Sequence, residues 1–128
     1  MKNQVRFFLP AAGWLIVSTV LLTLPGSAFP QENWLDKIWF DKWVHVAMFG
    51  LITFLLCWGI YKKKRETSRS LYTYFMLAAA LCFLYGIAME FVQKFWVPNR
   101  SFDAGDIVAD GIGSAFGGIF SFRRYAKK

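Results

Sequence analysis

Apolar residues fall in four blocks along the chain rather than at an amphipathic spacing spread through it, and blocks of this kind mark helices that meet lipid. Residues 7–24 carry no charge. Residues 44–61 carry none apart from the proton that His45 can take, and residues 71–89 stay uncharged up to Glu90. A bilayer core of about 30 Å takes about 20 helical residues, so each of these three blocks spans it with its flanks. The fourth block, 111–122, is too short alone. It reaches spanning length only if its helix starts near Asp103, which draws Asp106 and Asp110 into the outer part of the membrane. The pattern predicts helices over about 7–24, 44–61, 71–93 and 103–122: an all-α, integral membrane four-helix bundle made by one domain, 1–128.

Charge gives the bundle a direction. Lys2 and Arg6, then Lys62, Lys63, Lys64, Arg65 and Arg69, then Arg123, Arg124, Lys127 and Lys128 make up eleven of the 15 basic residues. They lie at the N-terminus, between the second and third blocks, and at the C-terminus. By the positive-inside rule these regions, both termini included, face the cytoplasm. The other two connections then face outward and hold Glu32, Asp36 and Asp41, with Glu90, Asp103, Asp106 and Asp110 at the helix ends beside them. Seven of the eight acids lie on that outer half. A net charge of +7 would alone suggest nucleic acid, but the positive-inside layout and attraction to anionic inner-leaflet lipid account for the basic residues. Membrane lipid is the expected partner, and nucleic acid is not.

Lys2 and Arg6 ahead of an apolar stretch ending at Pro25, Gly26, Ser27 and Ala28 also have the look of a secretory signal peptide. The block is longer than a usual signal core, and its Pro10 suits a first helical turn, so a retained helix is preferred. Cys57 and Cys82 fall inside the second and third helices, where cysteine acts as a small apolar residue. The chain has no CxxC pair, Gly-rich phosphate loop, HExxH or GxSxG. No cofactor is named by this pattern and no metal is assigned.

The acids carry the chemical interest. An Asp near the middle of a spanning helix costs roughly 2.5–3.5 kcal/mol on insertion scales, and five acids lie in or against the apolar blocks. Asp41 and His45 are four apart and share one helical face, with Lys42 beside them. Glu90 and Gln93 are three apart at the outer end of the third helix. Asp103, Asp106 and Asp110 follow a 3, 4 spacing that puts them on one face of the fourth, and Gly113 and Gly117 continue that face inward at a packing spacing familiar in membranes. Glycines packed against the second or third helix would turn the acids into the bundle. Four carboxylates near one imidazole in a poorly hydrated site call for protons, Arg100 and Lys42, a cation, or a cationic ligand.

Plainer roles stand beside these. Asp103 and Asp106 can cap their helix and complement its dipole. Asp110, two turns in, cannot be a cap; its plainer role is a structural hydrogen bond or a pair with Arg100, His45 or Lys42. Trp34, Trp39, Trp43, Trp96 and Phe102 read first as an interfacial aromatic belt.

Asp41-Lys42-x-x-His45 opening a helix, Glu90-x-x-Gln93 closing the next, and Pro98-x-Arg100-x-x-Asp103 with Asp106 leading into a Gly-rich last helix together resemble the VanZ-like family of small bacterial membrane proteins. Leu24-Pro25-Gly26 resembles that family's first loop. The likeness runs from the first helix to Gly117. Two positions depart from it: Asp110, where family members commonly carry Asn, and Asn99, where they often carry Gly. The resemblance implies a multi-pass protein of the bacterial plasma membrane working at its envelope side. The family is named for an accessory protein associated with teicoplanin resistance, so an influence on glycopeptide susceptibility is an expectation carried by the resemblance alone.

Three functional classes follow. The preferred one is an envelope protein whose outward pocket, formed by Asp41, Lys42, His45, Glu90, Gln93, Arg100, Asp103, Asp106 and Asp110, binds a polar ligand or lipid headgroup, including that of a lipid-linked envelope ligand. Arg100 suits phosphate or carboxylate there. The second is a membrane-embedded enzyme acting on a lipid-linked substrate, with Glu90 or His45 as general base and Arg100 stabilising negative charge. A metal version of it would use His45, Asp41, Glu90 and Asp106 as mixed ligands, better suited to Mg²⁺, Ca²⁺ or Mn²⁺ than to zinc. The third is a small transporter, which the confinement of the acids to one side disfavours.

Overall fold

The structure is a computed structural model and describes residues 4–24, 40–64, 68–97 and 104–126. A 3₁₀ turn, Gln4–Phe8, leads into α1 (Leu9–Thr23), followed by α2 (Phe40–Lys64), α3 (Ser68–Trp96) and α4 (Ala104–Ser121), with a closing π-helical turn at Phe122–Ala126. No strand occurs among the described residues. Among the described residues the protein is therefore all-α with four helices, as the apolar blocks predict. Pro10 sits in the first turn of α1, where its missing N–H has no intrahelical partner to lose. Helices α2 and α3 run past their apolar blocks at both ends, through Asp41 and Lys42 on one side and into Lys64 and Ser68 on the other. Hydropathy marks where a helix meets lipid, whereas backbone hydrogen bonding carries it on into the polar interface.

Side-chain contacts fix the topology. Along α2 and α4 the partners ascend together: His45 with Asp110, Phe54 with Phe120, Tyr61 with Tyr125. These two helices are parallel. Along α3 and α4 the partners run oppositely, with Gly86 against Asp110, Ala79 against Gly118 and Tyr72 against Phe122. Helix α1 lies antiparallel to α2, Phe7 meeting Trp58 and the Trp14 Nε1–H donating to the Met48 carbonyl at 3.0 Å. The bundle is thus up-down-up-down, with the start of α1, the end of α2 and the end of α4 gathered at one end.

The α2–α4 seam is the tightest, because glycine backbones meet there. A Cβ on Gly113 would land on the Val46 carbonyl oxygen, and one on Gly117 would lie 2.5 Å from the Gly50 oxygen and 3.0 Å from Thr53. Approach of this kind is what small residues at four-residue spacing permit between helices in lipid. Gly118, on the neighbouring face, looks instead at Ala79 of α3. Helix α4 buries Asp106, Asp110, Gly113, Ser114, Gly117, Gly118 and Ser121 in one stripe and turns Val108, Ile112, Phe116 and Ile119 outward. Leu77, Leu81 and Leu84 of α3 and Ile16 and Val20 of α1 are likewise exposed. An exterior this apolar belongs in lipid. Three helical stretches, Val5–Thr23, Lys42–Lys63 and Ser70–Trp96, are long and apolar enough to cross a membrane. Helix α4, at 18 residues, has the length of a short span but is not among them, because Asp106, Asp110 and its glycines make it less apolar.

Candidate functional site

The charged residues collect at the end of the bundle away from its basic tips. Parallel packing of α2 on α4 brings Lys42 and His45, one turn apart, over Asp106 and Asp110, one turn apart. The Lys42 Nζ donates to Asp106 Oδ1 at 2.8 Å. His45 Nδ1 and Asp110 Oδ1 are 2.7 Å apart. An ionised carboxylate only accepts, so the proton of that bond lies on Nδ1. The other ring nitrogen, Nε2, faces Asp106 Oδ2 at 3.7 Å, beyond direct hydrogen-bond reach. Lysine, two carboxylates and imidazole therefore form one chain, and with the ring protonated its charges balance.

Burial deepens along that chain. Lys42 keeps about a quarter of its side chain exposed, Asp106 about half that, and Asp110 almost none. Beneath the imidazole, Phe49 stacks nearly parallel at 6.3 Å and is itself fully buried against Tyr85. On α3, Gly86 makes the room that Asp110 occupies: a Cβ there would lie 2.6 Å from its Oδ2 and 2.9 Å from its Cβ. Glu90, one turn beyond Gly86 and almost wholly buried, is close enough to act on the charge of His45.

The expected site residues thus divide. Lys42, His45, Asp106 and Asp110 are joined by direct contacts, and Glu90 joins them through space. Of the pairings open to Asp110, the structure contains the one with His45. Gln93 is buried, but its Nε2 donates to the Leu22 carbonyl of α1 at 2.9 Å, satisfying a backbone acceptor in the last turn of that helix. Its role in the structure is to tie α1 to α3. The backbone of Asp41 lies in α2, while its side chain, and all of Arg100 and Asp103, lie outside the described residues. Trp43 and Trp96 project outward at this end, as belt residues would. Among the described residues no group of three or more His, Cys, Asp or Glu side chains stands in metal-holding positions.

Sequence reasoning did not single out Gly86 and Gly50. Both carry a readable signal: Gly86 lies one turn before Glu90 on the same face, and Gly50 lies five residues after His45, where a neighbouring helix bearing an acid and two glycines needs space.

An apolar exterior, four described helices and charged groups paired inside one end define a small helical membrane protein with a polar core at a single level. The family model VanZ/LLP1 matches residues 7–124, and the chain belongs to that family. No curated protein and no solved structure gives a match to the chain.

Proposed function

We propose that the protein is a multi-pass protein of the bacterial plasma membrane, with both termini in the cytoplasm, whose outward end receives the polar headgroup of a lipid or lipid-linked envelope ligand. The carrying observation is the graded chain from partly exposed Lys42 through Asp106 to the buried His45–Asp110 pair. An ammonium held at the mouth by a carboxylate suits a phosphate or carboxylate oxygen. The buried pair behind it fixes Asp106 by charge and keeps the mouth from collapsing. Asp41, Arg100 and Asp103, which the sequence places at the same membrane level, would complete the rim. Native mass spectrometry of the purified chain, with its co-purifying lipids identified, tests this. We expect anionic or lipid-linked species to be enriched on the wild type and that enrichment to be lost in Lys42→Ala; equal enrichment on both would overturn the reading.

One observation favours a second reading, that of a membrane-embedded enzyme acting on a lipid-linked substrate. Asp110 holds Nδ1 and leaves Nε2 directed at Asp106, the arrangement by which a buried carboxylate orients an imidazole for general-base work. Headgroup release from envelope lipids by proteoliposomes of the wild type, absent with His45→Ala, would establish it, and no turnover in either would remove it. The family name adds an influence on glycopeptide susceptibility, tested by the teicoplanin sensitivity of cells with and without the protein.

A further inference from the structure

Two clefts open toward lipid along the parallel seam of α2 and α4. One, of about 550 Å³, is lined by Lys42, Trp43, Val46, Val108, Ala109 and Ile112 among others. The second, of about 310 Å³, takes up at the same Val46 and continues past Gly50, Phe54, Phe116 and Phe120. End to end they form a furrow whose floor is kept low by Ala109, Gly50 and Gly117 and whose walls are Trp43, Ile112 and the phenylalanines. From Lys42 to Phe54 the helix rises about 18 Å. That is close to the depth of one leaflet's hydrocarbon, about 15 Å.

We propose that this furrow seats one acyl chain of an anionic phospholipid whose phosphate meets Lys42. The proposal rests on the headgroup reading above and adds the tail to it. Charge complementarity sets the class of lipid: among the described residues Lys42 is the one charged side chain lining the furrow, and neither Asp106 nor Asp110 lines it. Asp106 turns one oxygen to Lys42 and the other to His45, so what faces the lipid headgroup is the ammonium. Trp43 beside it stands at the level where indole rings meet headgroups. A second copy of the chain fits less well. Gly113 and Gly117, the small residues a partner helix would want, already hold α2 against α4. Trp43 and Phe116, each about two-thirds exposed, stand as ridges that hold a helix about 10 Å wide off the floor, while a row of methylenes passes between them.

The test is native mass spectrometry of the full chain titrated with dioleoyl phosphatidylglycerol, with dioleoyl phosphatidylcholine, and with soluble glycerol phosphate. One phosphatidylglycerol per chain is expected, bound at least about fivefold more tightly than phosphatidylcholine, with no retention of glycerol phosphate. A Val108→Trp/Ile112→Trp variant, altered only at lipid-exposed positions, is expected to weaken phosphatidylglycerol binding. A Lys42→Gln variant is expected to erase the preference over phosphatidylcholine while still holding lipid. If the tryptophan pair binds like the wild type while Lys42→Gln loses lipid, the furrow proposal fails and the headgroup reading stands. If the tryptophan pair weakens binding but Lys42→Gln keeps its preference, the headgroup reading fails. A dimer dispersed by the tryptophan pair would assign the furrow to a second copy and overturn the proposal. Quenching of wild-type Trp fluorescence by phosphatidylglycerol brominated along its chains, reduced in Trp43→Phe, supports the furrow without any variant of its walls; quenching equal in both opposes it.

Discussion

Asp110 is the acid that spacing rules out as a cap and that the family resemblance sets apart, and the structure gives it a partner, His45, and a seat, Gly86. The bond itself needs an acceptor and not a charge, which is why Asn is the informative substitution. Asp110→Asn keeps an oxygen for the Nδ1–H, whereas Asp110→Ala leaves a buried donor without one, a loss of about 1–3 kcal/mol. Unfolding of the purified chain in mixed detergent micelles should therefore show Ala clearly destabilised and Asn close to wild type. Equal losses would mean that the charge, not the bond, is what the site requires. Gly86 makes a companion case. Gly86→Ala sets a methyl against the Asp110 side chain, at an expected cost of about 1–3 kcal/mol for overpacking. Gly13→Ala meets nothing within 4 Å, and the same measurement should find it neutral or stabilising by up to about 1 kcal/mol.

Among the helices, α4 shows best what the sequence could and could not say. Its 3, 4 acid spacing and the Gly113, Gly117 continuation made a buried face legible, since period alone decides which residues share a side. Which neighbour takes that face was not legible: the same stripe fits α2 or α3, and only packing selects. The structure gives Gly113 and Gly117 to α2 and Gly118 to α3, with different tolerances. A methyl at Gly113 falls on the backbone oxygen of Val46, which cannot swing aside, but at Gly118 it stops 3.3 Å from a methyl of Ala79. Gly113→Ala should thus part α2 from α4 and break the His45–Asp110 bond. Gly118→Ala should be nearly silent. The imidazole resonances of ¹⁵N-histidine-labelled protein report the bond directly, since His45 is the sole histidine; an unchanged Nδ1–H signal in Gly113→Ala would contradict this account. The helix ends, and the diversion of Gln93 to the Leu22 carbonyl, were illegible for a shared reason: both depend on backbone groups, which composition does not reveal.

The described helices gather basic side chains at one end of the bundle and the buried acids at the other. Phe7 meets Trp58 and Tyr61 meets Tyr125 at one tip, with Lys63 over Phe8 at 5.9 Å, Lys62 over Trp58 at 6.0 Å and Arg124 over Tyr125 at 5.7 Å. Lys42, His45, Asp106 and Asp110 meet at the other. Helix α1 belongs to both halves of this arrangement. It is joined to α2 through Trp14, to α3 through the 2.5 Å contact of the Thr19 and Tyr85 hydroxyls, and to α3 again through Gln93. Removing α1 as a signal segment would strip these partners and expose Met48, Phe49 and Ile52 along the seam it covers. The intact mass of protein purified from membranes should accordingly include residues 1–24; a species beginning after Ala28 would show that the bundle functions with three helices. With α1 retained, the up-down-up-down order puts the two termini on one side, and the positive-inside rule predicts the cytoplasm for that side. Reporter fusions active only in the cytoplasm should therefore be active at both ends of the chain. A cysteine placed at exposed Trp96 should react with an impermeant maleimide in intact protoplasts, while one at Lys63 should not. Labelling at Lys63 alone would invert the protein and turn its acid cluster toward the cytoplasm, where an envelope ligand could not reach it.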